Sequence, residues 1–495
     1  MNKYNSEKDT SLKRSTISSL FWKLFERGGN ALIQIVVQIV LARLLMPEQF
    51  GALAIMLVFV NIGNVLVQSG LNTALVQAPN VDDDDSSTVF WLSFGVSLIL
   101  YLIVFLAAPG IAAFYQMDFI VWPLRVLAVL LIINSYNSVQ IALVQRALEF
   151  KKIFNATILS VVCSGFFGVA AALVGMGLWA LVVQQVTYQT VNCLVLEKQV
   201  EWHPSFVFKK DRAQILFGFG WKLLVAALLD QGYQSLSDLI VGKQFTAVSL
   251  GYVSQGKKYP QALGNMLDGA IQPVMLSVVS RVQEDLSYVK RLMRRALKTS
   301  TFMIFPAMTL FGVAAEPIVS LLLGEQWLPC VPFLQMYCFV YALLPIHSTN
   351  LQALNGTGRS DLFLKLELIK KAYGICFILI GAFVFKNVYV LIGSYMVTGI
   401  IGTFVNAHPT KRVIGYSYLE QLRDIGPAAL LSLVAGVISY QILLIGLGSL
   451  LTILLQVVSM CVIYILLAKL FHMEELEYLS TTLKDIVGGR KSVRN

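Results

Sequence analysis

Asn61, Asn64, Gln68 and Asn72 form a row of amides inside an apolar stretch, and 200 residues later Gln261, Asn265, Asp268 and Gln272 form a second row at matching positions. Steps of three and four keep each row on one helix face. Polar stripes in lipid-length helices line water or a partner helix, so two membrane halves facing one polar cavity are expected. The chemistry on offer is binding. Lysine and arginine hold phosphate, asparagine and glutamine bond hydroxyls, and aromatic faces such as Trp22, Trp221 and Tyr259 take sugar rings. No nucleophile stands beside a base, and none of the four histidines has a catalytic constellation. The expected ligand is large, anionic and sugar-bearing.

Further candidates surround the two rows. The first apolar stretch carries Lys23, Glu26, Arg27, Asn30, Gln34 and Gln38 on one stripe. A central Lys or Arg costs about 2.5 to 3.5 kcal/mol on the insertion scale, so a role is expected of it. The competing reading has Lys23 and Arg27 snorkelling to the interface with Glu26 as their partner. Span seven offers Lys222, Asp230, Gln234 and Asp238; span eight offers Lys257, Lys258, Gln261, Asn265 and Asp268. Lys258 and Asp268 lead this set, against the alternative of a structural ion pair between halves. Substrate binding is assigned to Lys23, Arg27, Gln34, Gln38, Asn61, Asn64, Gln68, Lys222, Lys257, Lys258, Gln261 and Asn265. Ion coupling is assigned to Glu26, Asp230, Asp238 and Asp268. Arg43 and Arg125 are weaker candidates. Asn134, Asn137 and Gln140 read as interhelical glue worth roughly 0.6 kcal/mol each. His347 and the turn Asn355 to Arg359 read as a helix terminus.

The elements that position these residues follow from composition. The 495 residues are 57% hydrophobic and 13% charged, with mean hydropathy +0.70, outside the range of an ordinary soluble domain. Apolar stretches of about 20 residues, long enough for roughly 30 Å of hydrocarbon as helix, recur from end to end. An all-α integral membrane protein is expected, with about fourteen spans near 17–45, 50–76, 87–108, 119–147, 153–175, 177–196, 214–242, 246–280, 297–323, 329–354, 361–385, 387–407, 425–446 and 448–470. Absence of strict alternation excludes a barrel.

Basic residues cluster in every second loop, among them Lys151 and Lys152, Lys209 to Arg212, Arg291 to Lys298, and Lys411 and Arg412. The positive-inside rule makes those loops and both termini cytoplasmic. The net charge of +10 therefore expresses topology, and nucleic acid is not an expected partner. The run Asp82 to Asp85 reads as a solvated turn. A cleavable signal is not evident, so the first span reads as an anchor. The six cysteines have no C-x-x-C spacing, and neither disulfides, metals nor cofactors are expected.

The repeat is wider than the amide rows: Trp22-Lys23-Leu24 is echoed by Trp221-Lys222-Leu223 and Gly51 by Gly251. Two six-helix lobes in the same orientation, around a central cavity and followed by two extra helices, are the economical account. The expected division is a cytoplasmic segment 1–16, an N-terminal lobe 17–196, a hinge-side linker 197–213, a C-terminal lobe 214–407, a loop and two helices over 408–470, and a tail 471–495.

The segment Gln34 to Gly51, QIVVQIVLARLLMPEQFG, followed by ALAIMLVFVNIG, resembles the opening signature of Wzx-type polysaccharide flippases of the multidrug, oligosaccharidyl-lipid and polysaccharide exporter superfamily. Leu351 to Lys365, LQALNGTGRSDLFLK, is similar to a second region of that family. The length and the Pro47 to Gly51 turn look closest to the branch exporting colanic or teichuronic acid-like units. The resemblance implies flipping of undecaprenyl diphosphate-linked oligosaccharide from the cytoplasmic to the outer leaflet of a bacterial inner membrane, for lipopolysaccharide or exopolysaccharide assembly. It implies diphosphate held by Lys23, Arg27, Lys222, Lys257 and Lys258. Its expected partners are the lipid-linked oligosaccharide, the bilayer, a coupling ion (proton or sodium) and the polymerase and export machinery. A cation-coupled multidrug antiporter using Glu26, Asp230 and Asp268 is the alternative. A membrane glycosyltransferase or polymerase is disfavoured by the lack of a substantial loop, and a purely structural subunit by the paired stripes; no enzymatic activity is expected.

Overall fold

The computed structural model describes residues 33–68, 70–77 and 81–487; among them every regular element is helical. The helices are α1 (Ile33–Leu44), α2 (Pro47–Gln68), α3 (Leu71–Gln77), α4 (Asp83–Tyr115), α5 (Val121–Arg146), α6 (Phe150–Leu173), α7 (Leu178–Gln199), α8 (Lys210–Gln244), α9 (Ala247–Arg281), α10 (Leu286–Val313), α11 (Ala315–Leu322), α12 (Val331–Ala342), α13 (Leu344–Gly356), α14 (Ser360–Leu379), α15 (Val388–Ile414), α16 (Tyr418–Tyr440), α17 (Ser449–Leu470) and α18 (Glu474–Val487). Nine helical segments among the described residues are long and apolar enough to cross a membrane. With their hydrocarbon-length runs, they make this a multi-pass membrane protein. Fourteen spans were expected. Helices α7, α8, α9 and α14 lie where spans were expected but are too polar to count among the nine, because α7 carries several amides and α8, α9 and α14 carry charges as well.

Packing divides the chain into two compact units after Ser254. Helix α8 and the first turns of α9 pack on α2 within the first unit. In the first unit α6 pairs with α7, α4 with α5, and α2 lies against α5 and α8. Its core gathers Leu71, Leu75, Val89, Val139, Leu196 and Trp202 from α3, α4, α5, α7 and the segment that follows α7. A Cβ on Gly51 would stand 1.8 Å from the Ala247 carbonyl oxygen, and one on Gly251 would stand 2.0 Å from that of Pro47. The repeated glycines thus sit in one helix crossing, each against the other's first turn, as small residues four apart allow.

One segment departs from the sequence expectation here. Asp82 to Asp85 is a helix start rather than a solvated turn: Asp82 accepts from the Asp85 N–H at 2.7 Å, Asp85 reciprocates, and Asp85 is buried. Lys209 pairs with Asp84 at 2.7 Å and Arg212 with Asp85 at 3.3 Å. The Trp91 indole donates to the Ser205 carbonyl at 2.8 Å, which ties the 200–209 segment along the start of α4.

In the second unit α10 packs on α16, α12 and α13, α14 on α15, and α16 on α17. Helix α10 begins at Leu286 rather than near 297, because Val289, Met293 and Leu297 bury one face while Arg291, Arg294 and Arg295 occupy the other. Similarly, the expected tail 471–495 contains α18, an amphipathic helix. Both cases are helices whose charge disguised them as loops. The outward faces of α16 and α17 are apolar, with Leu430, Leu433 and Val437, and Leu450, Leu454 and Val458, exposed at helical spacing. Such a surface fits hydrocarbon.

Candidate functional site: an amide cleft in the first unit

Helices α2, α5 and α7 each contribute amides to one cleft. Asn134 Nδ2 donates to Asn64 Oδ1 at 2.8 Å, and Gln189 Nε2 donates to Asn134 Oδ1, so a relay of three side chains joins α7 to α5 to α2. Deeper in the wall Asn137 Nδ2 donates to Asn192 Oδ1 at 3.1 Å. The cleft has a volume of about 500 Å³, and Gln68, Asn72, Asn134, Asn137, Gln145 and Gln189 line it, with no charged group in its wall among the described residues. Asn72 Oδ1 and Asn137 Oδ1 are buried with no hydrogen-bond partner among the described residues. Amides with spare capacity and no charge are donors and acceptors for neutral hydroxyls. At the cleft's end Arg146 donates to the carbonyls of Leu75 at 3.1 Å and Val76 at 3.4 Å, holding the last turn of α3.

The expected residues fall into distinct places. Gln68 lines the cleft and Asn64 closes the relay, whereas Asn61 is exposed on α2. Gln34 is exposed on α1, and Gln38 is buried, its Nε2 3.5 Å from Gln184 Oε1 on α7. Lys23, Glu26 and Arg27 lie outside the described residues, as does the side chain of Lys222. Asp230 accepts from Gln234 at 2.7 Å on the exposed side of α8, and Asp238 is half-buried.

In the second unit Lys257, Lys258 and Gln261 are half-buried on α9 and Asn265 is exposed. Asp268 is buried and accepts hydrogen bonds from Ser348 of α13 and Gln272 of α9, and Gln352 Nε2 lies 3.4 Å from Gln272 Oε1. Among the described residues no carboxylate lies within 4.0 Å of Lys258, and the described partners of Asp268 are a hydroxyl and an amide. His347 bonds Asn406 at 3.1 Å within the helix packing. Arg125 stacks on Phe105 and Trp122 and donates to the Phe105 carbonyl at 3.1 Å.

Sequence reasoning placed Asn134 and Asn137 as glue; they are glue and cleft wall at once. It passed over Gln189 altogether, although Gln185, Gln189 and Asn192 recur at helical spacing on α7.

With this geometry in hand, comparison with known proteins is decisive at the family level. The family described as "Polysaccharide biosynthesis protein" matches residues 40–332, more than half of the chain. The chain belongs to the polysaccharide biosynthesis protein family. The match begins inside Gln34 to Gly51, the segment that carried the resemblance to Wzx-type flippases. Within its reach fall the amide cleft, Lys257, Lys258 and Asp268. Among this chain's relatives, the "Lipopolysaccharide biosynthesis protein WzxC" of Escherichia coli (strain K12) is 23% identical over 440 residues, 87% of this chain and 88% of that one. The "Succinoglycan biosynthesis transport protein ExoT" of Rhizobium meliloti (strain 1021) is 24% identical over 349 residues, 70% of this chain and 71% of that one. The fold is shared with lipid II flippase MurJ in an inward closed conformation, at TM-score 0.73 and 14% identity over 92% of this chain and 99% of that one. An inward-facing MATE multidrug transporter of the MOP superfamily gives TM-score 0.60 and 16% identity over 78% of this chain and 95% of that one.

Proposed function

We propose that this protein flips undecaprenyl diphosphate-linked oligosaccharide repeat units from the cytoplasmic to the outer leaflet of a bacterial inner membrane by alternating access, with both termini in the cytoplasm. The observation that carries the reading is an amide cleft in a member of a polysaccharide biosynthesis family: about 500 Å³ lined by amides and, among the described residues, by no charged group suits the hydroxyls of a neutral sugar. Lys257 and Lys258 are the described cations that hold the diphosphate. Outward movement of that anion is favoured by an inside-negative potential, at about 2.3 kcal/mol per charge per 100 mV.

Asp268 favours a coupled version of the same cycle. A buried carboxylate held by a hydroxyl and an amide, with no cation among its described partners, is suited to take up a proton or sodium. The same feature suits a small-molecule antiporter of the MATE kind, and the two separate on substrate. The test is the sidedness of lipid-linked repeat units in cells lacking the protein. Accumulation on the cytoplasmic side, reversed by wild type and not by Lys258→Ala or Asp268→Asn, supports flipping. Unchanged lipid sidedness with altered drug tolerance supports the antiporter.

A further inference from the structure

The amphipathic start of α10 carries Arg291, Arg294, Arg295 and Lys298 at helical steps of three, four and seven, one continuous stripe. Two of these charges are already satisfied. Arg294 pairs with the buried Asp424 at 2.7 Å, and Lys298 reaches Glu475 at 3.4 Å and Glu474 at 3.5 Å. The other two have no ion pair among the described residues, although Arg291 also donates to the Ser287 hydroxyl at 3.4 Å. Arg291 lies over the Tyr288 ring at 5.4 Å and Arg295 over the Tyr478 ring at 3.9 Å, and among the described residues neither has a carboxylate within 4.0 Å. They border a recess of about 500 Å³ between α10 and α18.

A second recess, of about 370 Å³, opens from the same place and is apolar, walled by Ile271, Met275 and Val278 of α9 and by Leu292 and Met303 of α10. Arg295, Thr299 and Tyr478 belong to both recesses. A basic recess joined to an apolar slot calls for an amphiphile with a negative head, and a basic pocket between helices at a membrane face is a recognised lipid headgroup site. We propose that α9, α10 and α18 bind one anionic phospholipid, its phosphate between Arg291 and Arg295 and one acyl chain along Met275 and Met303. The occupant is a bilayer lipid rather than a long polyprenyl chain, because the apolar slot holds about 370 Å³ and its α10 wall runs only from Leu292 to Met303. Through Tyr478 the lipid would seat α18 on α10, so membrane composition governs docking of this C-terminal helix. The site uses none of the residues assigned to glycan, diphosphate or ion, and it stands whichever substrate the protein carries.

The test uses the full-length protein in neutral detergent, with native mass spectrometry counting bound phosphatidylglycerol against phosphatidylcholine of the same chains. Wild type should retain phosphatidylglycerol selectively. Arg291→Gln with Arg295→Gln should weaken it roughly 30-fold, each basic residue near an anionic surface counting about fivefold, and Arg295→Gln alone should weaken it about fivefold. The charge-matched control Lys411→Gln with Arg412→Gln should leave binding unchanged. Equal loss in the control, or no preference over phosphatidylcholine in wild type, would overturn the site. So would displacement by inorganic phosphate, which means an anion site without a lipid, or by equimolar undecaprenyl phosphate, which means a substrate port.

Discussion

Asn134 is the middle of the amide relay, donating to Asn64 and accepting from Gln189. Asn134→Leu removes both bonds, and at roughly 0.6 kcal/mol per interhelical bond the protein should still fold, about 1 kcal/mol less stable. Flipping should drop about fivefold to tenfold through the hydroxyl bonds lost to the sugar, read as initial rate in vesicles at matched protein density. A variant that folds and flips at the wild-type rate would make the relay structural only. Asp268→Asn should likewise retain the fold, because an amide oxygen still accepts from Ser348 or Gln272, while ion dependence of transport disappears. Asp268 was legible in the sequence as a carboxylate deep in an apolar run. Its partner Ser348 was not, since 80 residues separate the two and a serine in a helix signals nothing. Asn134 was visible but ambiguous, because an amide that ties two helices and an amide that lines a cleft have the same spacing; only the third helix, bringing Gln189, distinguishes them.

At the scale of elements, the crossing of α2 with the start of α9 rests on Gly51 and Gly251. Gly51→Ala or Gly251→Ala places a methyl within 2.0 Å of a carbonyl oxygen of the facing helix, so the helices must part. Each should destabilise by about 1 to 3 kcal/mol, and the pair by less than the sum because one separation relieves both; chemical unfolding in detergent measures this. The pairing of the two glycines was readable from the 200-residue repeat, but not that they touch. The start of α4 makes a pH prediction. The Asp85 N–H, with Lys209 and Arg212 nearby, holds the Asp82 carboxyl below its usual 3.8. A depressed pKa means stabilisation present above about 3.8 and lost as pH falls through the lower folded value. Hydrogen exchange in the first turn of α4 should therefore quicken as pH drops below 3.8, beyond its intrinsic pH dependence, and Asp82→Ala should abolish that extra change. Neither this cap nor the helical start of α10 was legible. In both, charge density imitates a loop, and the neighbours that accept the charge, Lys209 and Arg212 for one and Asp424 for the other, are distant in sequence.

For the whole molecule, composition settled the class, since a chain this apolar with recurrent hydrocarbon-length stretches has no soluble solution. The packing of α8 on α2 and α3 was harder to read, since no spacing in the sequence signals which helices a polar membrane-length helix meets. Function was legible through Gln34 to Gly51, the stretch in which the family match begins. The central claim is movement of a lipid-linked glycan, and its most direct measurement is flipping in proteoliposomes. A polyprenyl diphosphate-linked oligosaccharide with a fluorescent sugar is placed in one leaflet and its arrival in the other is followed by access to an impermeant quencher. The account predicts translocation well above empty vesicles, slowed by Asn134→Leu and by Lys258→Ala, and accelerated by a potential that is negative on the side the lipid leaves. Translocation no faster than in empty vesicles, with folded protein present, would contradict it.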